Sequence, residues 1–165
     1  MASENTTKLT VVTPYKTFYE GRVNSVVVPT LDGQIGFMPG HVPLIVALKP
    51  GIAHFIIDNQ TTHFTVSEGF CEVDETHVLV VCNAAELPDD LSPRRTCKSY
   101  SEAAAALAKA DEIEDKTARE VYIKENEQSI ERAKARRRLL ELYGSDHKKE
   151  RIAILVREYG WEDEE

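Results

Sequence analysis

Turn-forming residues are confined almost entirely to the first part of this 165-residue chain. All seven prolines lie at or before Pro93, and of the eight glycines only Gly144 and Gly160 lie beyond it. Residues 99–142 contain neither type and are rich in Ala, Glu, Lys, Arg and Leu, which favour helix. The chain is therefore predicted to change from a turn-rich domain to a helical one near residue 90.

The first part contains short apolar segments, separated by turn signals at roughly the 8–12-residue spacing of a β-sandwich or barrel. The turn sequences at residues 58–60 and 74–76 predict two successive hairpins within residues 52–83. The predicted fold class is α+β, with an antiparallel β-sandwich over residues 1–90. The predicted strands are residues 9–12, 23–28, 42–48, 52–58, 61–67, 70–74 and 77–83.

The second part is predicted to form an antiparallel helical hairpin over residues 91–142. Ser92 followed by Pro93 is typical of a helix start, because Ser caps the first turn and Pro lacks only an N–H that the helix does not use. One unbroken helix would be about 75 Å long, so a break is predicted within residues 111–117, capped by Asp115 or Thr117. Ser145 predicts a further short helix in residues 143–165, before an acidic tail.

Charge and hydropathy exclude several classes of protein. The formal net charge of −8 argues against general nucleic-acid binding, which needs a surplus of basic residues. No stretch reaches the roughly 18 apolar residues that cross a bilayer, so membrane association is expected only through a partner. The first residues have neither a signal nor a transit pattern, which predicts a cytosolic protein.

Reactive side chains give little indication of catalysis. Cys71, Cys82 and Cys97 lack paired metal-ligand spacing and are predicted to be buried free thiols, although a cross-strand disulfide between the first two stays open. His54 and His63 lack the additional ligands of a metal site. No catalytic residue and no metal are predicted.

Two separated blocks resemble the epsilon subunits of F-type ATP synthases, of the bacterial and plastid type. Residues 28–51, VPTLDGQIGFMPGHVPLIVALKPG, are similar to the family signature of an Asp-Gly turn, a Pro-Gly-His loop and a Leu-Lys-Pro-Gly segment. Residues 64–86, FTVSEGFCEVDETHVLVVCNAAE, are similar to the family's second hairpin and closing Ala-Glu. With the helical hairpin, the resemblance covers about residues 8–142.

The resemblance implies a non-catalytic subunit of the central stalk, the rotor of the proton-translocating ATP synthase. Such a subunit couples rotation of the membrane c-ring to the catalytic head through the gamma subunit. Its helices conditionally inhibit ATP hydrolysis through transient contacts with the catalytic β subunits and with the α subunits. The implied location is the cytoplasmic face of the bacterial inner membrane, with the chain held there by the complex.

The resemblance also assigns partner-binding residues in the sandwich. Asp32 and Gln34 are expected to contact the polar loops of the c-ring, with Gln34 replacing an acid common in the family. His41 either bonds to a backbone carbonyl or contacts the gamma subunit or the ring. From the residues alone, this segment also fits an ordinary hairpin turn.

Two roles are implied for arginines of the hairpin. Some bacterial members bind regulatory ATP there, and this chain keeps Leu91 and Arg95 of their motif, together with Arg132 and Arg136, but lacks the motif's Asp and Ala. The run from Arg132 to Arg138 fits a solvated helix face or a contact with an acidic segment of the catalytic β subunits. The residues of that contact are Arg132, Arg136, Arg137 and Arg138.

Two other classes of protein fit parts of the pattern. One is a free-standing β-sandwich binding module whose helical tail recruits an acidic protein or a nucleic acid. The other is a small metalloenzyme of cupin type, which would need several histidines inside its barrel.

Overall fold

The computed structural model describes residues 5–161 and divides into two compact units between Leu87 and Pro88. Unit 1 contains strands β1 (Thr7–Val12), β2 (Thr17–Val23), β3 (Ser25–Thr30), β4 (Gly33–Phe37), β5 (Leu44–Leu48), β6 (Gly51–Ile57), β7 (Gln60–Val66), β8 (Gly69–Val73), β9 (His77–Cys82) and β10 (Ala85–Glu86). Unit 2 contains helices α1 (Pro93–Ala108), α2 (Lys116–Tyr143) and α3 (Asp146–Glu158), with short 3-10 turns at Pro88–Asp90 and Ala110–Glu112.

The strands of unit 1 follow the order β10-β7-β6-β3-β5-β8-β9-β1-β2, and β4 pairs with β3 outside this path. Neighbouring strands are antiparallel except β1 and β9, which are parallel. Tyr19 of β2 stacks on Phe55 of β6, with ring centroids 4.4 Å apart, and Phe18 contacts Phe64 of β7 at 5.2 Å. The sheet therefore folds over on itself, and the predicted fold class is confirmed.

The core of unit 1 is built from alternate residues of each strand. Leu9 and Val11 of β1 are fully buried, as is Val80 of the adjacent β9, because side chains two apart point to the same face. Phe37 and Phe64 are the largest fully buried side chains. The apolar residues that alternate along each strand thus form the core-facing side of the sheet.

The two predicted hairpins are confirmed, each with a turn that its sequence explains. Asp58 and Asn59 both have positive φ, 48° and 64°, which short polar side chains tolerate between β6 and β7. Between β8 and β9, Oδ1 of Asp74 accepts hydrogen bonds from the backbone N–H groups of Thr76 and His77, each at 2.8 Å. These bonds hold the pKa of Asp74 below its usual value.

The predicted strand at residues 23–28 is wrong as one element, because Asn24 separates β2 from β3. The Asn24 N–H donates to the Ile56 carbonyl at 2.7 Å, and its side-chain oxygen accepts from the Asp58 N–H at 2.8 Å. These bonds anchor the break to the β6–β7 turn.

Strands β2, β4 and β10 are not among the predicted strands. Residues 33–37 are expected to belong to a hairpin turn, yet among them only Gly33, with φ of +105°, needs glycine geometry. The segment pairs with Val26 to Thr30 of β3. Its Phe37 side chain is completely buried, which explains why the segment is a strand.

The helix boundaries follow the predicted caps. The Ser92 hydroxyl accepts from the Arg95 N–H at 3.3 Å and starts α1 at Pro93. Asp115 accepts from the Ala118 N–H at 2.6 Å and starts α2 at Lys116. The break therefore lies at residues 109–115, and Asp115 is its cap.

The predicted further helix is α3, whose Ser145 hydroxyl accepts from the Lys148 N–H at 3.4 Å. Its residues Ile152, Leu155 and Val156 are buried, whereas Tyr159 is 36% exposed at the helix end. Helix α3 packs against both α1 and α2, so unit 2 is a three-helix arrangement. The acidic tail at residues 162–165 lies outside the described residues.

Candidate functional site

The β3–β4 turn presents the two side chains expected to contact a ring of polar loops. Thr30 Oγ1 accepts from the Asp32 N–H at 3.2 Å and donates to the Gly33 carbonyl at 2.6 Å, which closes the turn from inside. Asp32 and Gln34 are exposed at its tip, next to Leu31, whose side chain is 76% exposed. The tip combines polar groups with one open apolar side chain.

The β4–β5 loop holds His41 in internal contacts. Nδ1 of His41 lies 2.7 Å from the Val42 carbonyl oxygen, and its ring meets Phe37 edge-on at a centroid distance of 5.0 Å. The Gly40 N–H donates to the Glu75 carbonyl and ties the loop to the β8–β9 turn. Of the two roles considered for His41, bonding to a backbone carbonyl is the one that this geometry supplies.

The structure does not bring His41 together with Asp32 and Gln34. The β3–β4 turn and the β4–β5 loop lie at opposite ends of β4. A five-residue strand is about 16 Å long at roughly 3.3 Å per residue. Unit 1 therefore presents two separate loop surfaces, and the second one exposes Met38 and Val42 at 68% and 70%.

An open apolar sheet surface connects these loops along β5, and the sequence reasoning missed it. Strand register places Ala47 opposite Phe70, and Phe70 opposite Val81, on the face that points away from the core. Ile45 is 69% exposed and Phe70 is 43% exposed. We call this surface the apolar face. Its apolar residues are Ile45, Ala47, Phe70, Leu79 and Val81, and the exposed carboxylate of Glu72 lies among them, opposite Ile45 and Leu79.

One sequence signal identifies the apolar face. In β5, LIVAL, both alternating sets of side chains are apolar, and the same holds for VLVV in β9. In a strand with one face exposed to solvent, apolar residues would alternate with polar ones, so two apolar sets indicate that both faces are covered. Because the side chains of the outer set are exposed to solvent in this chain, the pattern predicts that a partner protein covers them.

The arginine run of α2 does not form one surface. Arg132 and Arg136 are half-buried and Arg138 is exposed, whereas the Arg137 side chain is only 12% exposed. Arg137 Nε donates to Glu141 at 2.7 Å, and its Nη1 donates to the Trp161 carbonyl at 3.2 Å. Arg137 is thus turned into unit 2 in this conformation, and its expected contact with a catalytic subunit would require those bonds to open.

The residues of the expected ATP motif are spread along the hairpin. Leu91 is buried, and Arg95 is exposed near the start of α1. Tyr100 of α1 and Arg137 of α2 contact the same Trp161 ring, so they lie at about the same level of the antiparallel hairpin. At that level Arg95 and Arg132 lie roughly two to three helical turns apart along the axis. ATP binding at these four residues stays a prediction.

The cysteines are free and buried. Cys71 pairs with Val80 and Cys82 with Gly69, so the two thiols do not oppose each other across the hairpin and the open disulfide alternative is wrong. Burial raises the pKa of Cys71 to about 12 and of Cys82 to about 11, and it also raises the pKa of Cys97. Thiols in this state are poor nucleophiles.

His54 and His63 do lie close together, with ring centroids 5.3 Å apart across β6 and β7. Burial lowers the pKa of both imidazoles, and the charge of His54 lowers that of His63 further. Among residues 5–161, no group of three or more His, Cys, Asp or Glu side chains is arranged to hold a metal ion. In the same range, no helix is both long enough and apolar enough to cross a bilayer.

Comparisons with known proteins agree with this geometry. The family model of the β-sandwich domain of the ATP synthase delta/epsilon chain matches residues 6–88. An ATP synthase epsilon chain of Desulforudis audaxviator is 38% identical over 109 residues, which is 66% of this chain and 80% of the relative. One of Prochlorococcus marinus is 30% identical over 128 residues, covering 78% and 92%.

Among solved structures, a chain in the cryo-EM structure of the Euglena gracilis mitochondrial ATP synthase superimposes with a TM-score of 0.65. It is 19% identical, and the superposition covers 82% of this chain and 81% of that one. The likeness shows a shared fold.

Proposed function

Since this chain belongs to the family of ATP synthase epsilon chains, we propose that it couples c-ring rotation to the catalytic head by binding gamma and the ring together. An epsilon chain is a non-catalytic subunit of ATP synthase. The proposal places it peripherally on the cytoplasmic face of a bacterial membrane, where the complex holds it. The helices of unit 2 add conditional inhibition of ATP hydrolysis.

The observation that carries the coupling role is the apolar face of unit 1. Ile45 and Phe70 leave 69% and 43% of their side chains exposed on a regular sheet surface. Burying one such side chain in an interface contributes about 1.5–3 kcal/mol. We assign this face, with Met38 and Val42 at its end, to the gamma subunit, because a largely apolar contact suits a permanent partner.

The β3–β4 turn is assigned to the c-ring. Asp32 and Gln34 offer an acceptor and an amide at an exposed tip, which suits the polar loops of membrane helices. Strand β4 keeps this tip about 16 Å from the β4–β5 loop. Strand β4 pairs with β3 at five positions, which makes the distance between the tip and the β4–β5 loop rigid. Force applied by the ring at the tip would therefore be transmitted to the gamma contact.

The inhibitory role is assigned to α2. None of residues 116–132 is buried, so the first half of α2 is held weakly in the folded hairpin. Arg132, Arg136 and Arg138 would then meet an acidic segment of a catalytic β subunit when the hairpin extends. Arg137 would join this contact once its bonds to Glu141 and Trp161 open. Arginine suits this contact because its planar fork binds carboxylates in pairs.

Removing unit 2 tests the inhibitory role. A chain ending at Asp90, reconstituted with the remaining subunits, should raise ATP hydrolysis several-fold, because the obstructing helices are gone while unit 1 remains. The measurement is the hydrolysis rate of the complex at saturating ATP, compared with the full chain at equal occupancy. As a control, the shortened chain should still co-elute with the gamma subunit in gel filtration. Unchanged hydrolysis at full occupancy would remove the inhibitory role and leave the coupling role.

A further inference from the structure

The buried core of unit 2 lies at the end of the hairpin where α3 packs. No residue within 116–132 of α2 is buried, whereas Leu139 and Leu140 are completely buried. Helix α3 adds Ile152 and Leu155, which are also completely buried. Elsewhere α1 and α2 bury mainly alanines, which contribute little at roughly 25 cal/mol per Å². The large apolar side chains that hold the hairpin closed thus depend on α3.

Trp161 is carried into this core by the end of α3. Gly160 has a φ of +64°, and the Trp161 N–H donates back to the Val156 carbonyl at 2.9 Å. The Gly160 N–H donates to the Arg157 carbonyl at 3.1 Å, which completes a Schellman ending. This geometry reverses the chain and leaves Trp161 only 3% exposed.

Trp161 connects all three helices. Its ring stacks on Tyr100 of α1 with a centroid distance of 4.0 Å and an interplanar angle of 7°. The guanidinium of Arg137 of α2 lies 4.9 Å from the indole, and it also donates to the Trp161 carbonyl. At the other end of α3, Lys148 Nζ donates to the Pro88 and Asp89 carbonyls at 2.9 and 2.6 Å. Both ends of α3 are therefore fastened to other parts of unit 2.

We propose that α3 and Trp161 form an intramolecular lock that keeps α1 on α2 and withholds Arg137 from partners. Separating α1 from α2 breaks the Tyr100–Trp161–Arg137 contact, because Trp161 cannot stay on Tyr100 of α1 and on Arg137 of α2 once the two helices part. While Arg137 is bonded to Glu141 and Trp161, its guanidinium is not available to an acidic partner segment. Docking of α3 and use of Arg137 by a partner therefore exclude each other. The lock is a property of the isolated chain, and its test does not depend on the proposed function.

The labelling rates of the native cysteines measure how often the lock opens. Cys97 of α1 is completely buried in unit 2, whereas Cys71 and Cys82 are buried in unit 1. Labelling the full chain with excess N-ethylmaleimide, followed by mass spectrometry of each cysteine peptide, measures the opening of the two units separately. In Trp161→Ala, Cys97 should be labelled at least about tenfold faster than in the unaltered chain, since truncating a buried Trp is strongly destabilising. Cys71 and Cys82 should keep their rates.

Two further variants make the test specific. Tyr159→Ala removes an aromatic side chain of the same segment that is 36% exposed, and it should leave Cys97 labelling unchanged within about twofold. Arg137→Gln removes the cation without emptying the core, and it should also speed Cys97 labelling. Far-UV circular dichroism should show native helix content in all three variants. Unchanged Cys97 labelling in Trp161→Ala, equal acceleration of all three cysteines, or loss of helix content would each overturn the lock.

Discussion

Replacing Phe64 by alanine lowers the free energy of unfolding of unit 1 by about 3–5 kcal/mol, among the largest stability effects expected in the chain. Phe64 is completely buried, and its ring contacts Phe18 at 5.2 Å and Phe55 at 5.8 Å. These contacts join β2, β6 and β7, where the sheet folds over on itself. Alanine would leave a cavity at that junction, because surrounding strands relax only partly.

Urea unfolding of a chain ending at Asp90, followed by far-UV circular dichroism, measures this loss without interference from the helices. Phe70→Ala is the matched control, since the same side chain is 43% exposed on the apolar face. It should cost less than about 1 kcal/mol. Equal losses in the two variants would contradict the placement of the core.

Replacing Ile45 by aspartate should weaken binding of gamma by at least about 100-fold, which is about 2.7 kcal/mol. Ile45 lies near the start of β5, between Val42 and Ala47 of the proposed interface, and is 69% exposed in the free chain, so the change should cost folding no more than about 1 kcal/mol. In the complex the new carboxylate would be buried opposite Glu72, so it would lose its water and face a like charge, which is strongly unfavourable. Titration calorimetry with purified gamma measures the loss.

The matched control is Thr61→Asp, which adds the same charge at an exposed position of β7. Its affinity for gamma should stay within about threefold of the unaltered chain, as for a surface change outside an interface. Equal weakening by the two substitutions would show that charge alone matters. Unaltered affinity in Ile45→Asp would move the gamma contact away from the apolar face.

Local hydrogen bonds explain which parts of the fold were predictable. The caps Ser92, Asp115 and Ser145 each bond to a backbone N–H three residues further on, so the sequence neighbourhood determines where each helix begins. The same holds for the Asp58-Asn59 and Asp74 turns. Two hairpins, three helix starts and the change of fold type near residue 90 were therefore accessible from the sequence.

Long-range contacts explain what was missed. Strand β4 depends on pairing with β3 and on burial of Phe37, which a glycine-rich sequence hides. The sequence places Arg137 in a run predicted to be solvated or partner-binding. Its actual partner, Trp161, lies 24 positions further along the chain, where local sequence patterns cannot indicate it. The distance between Asp32 and His41 likewise follows from β4 being a strand.

The most direct test of the central claim is gel filtration of the full chain mixed with the gamma subunit from the same source, at low and at moderate salt. The apolar face predicts one co-eluting peak at both salt concentrations, because an apolar contact is not screened by ions. Separate elution at both concentrations, with gamma shown to be folded, would contradict the assignment of this chain as a subunit that binds gamma through unit 1.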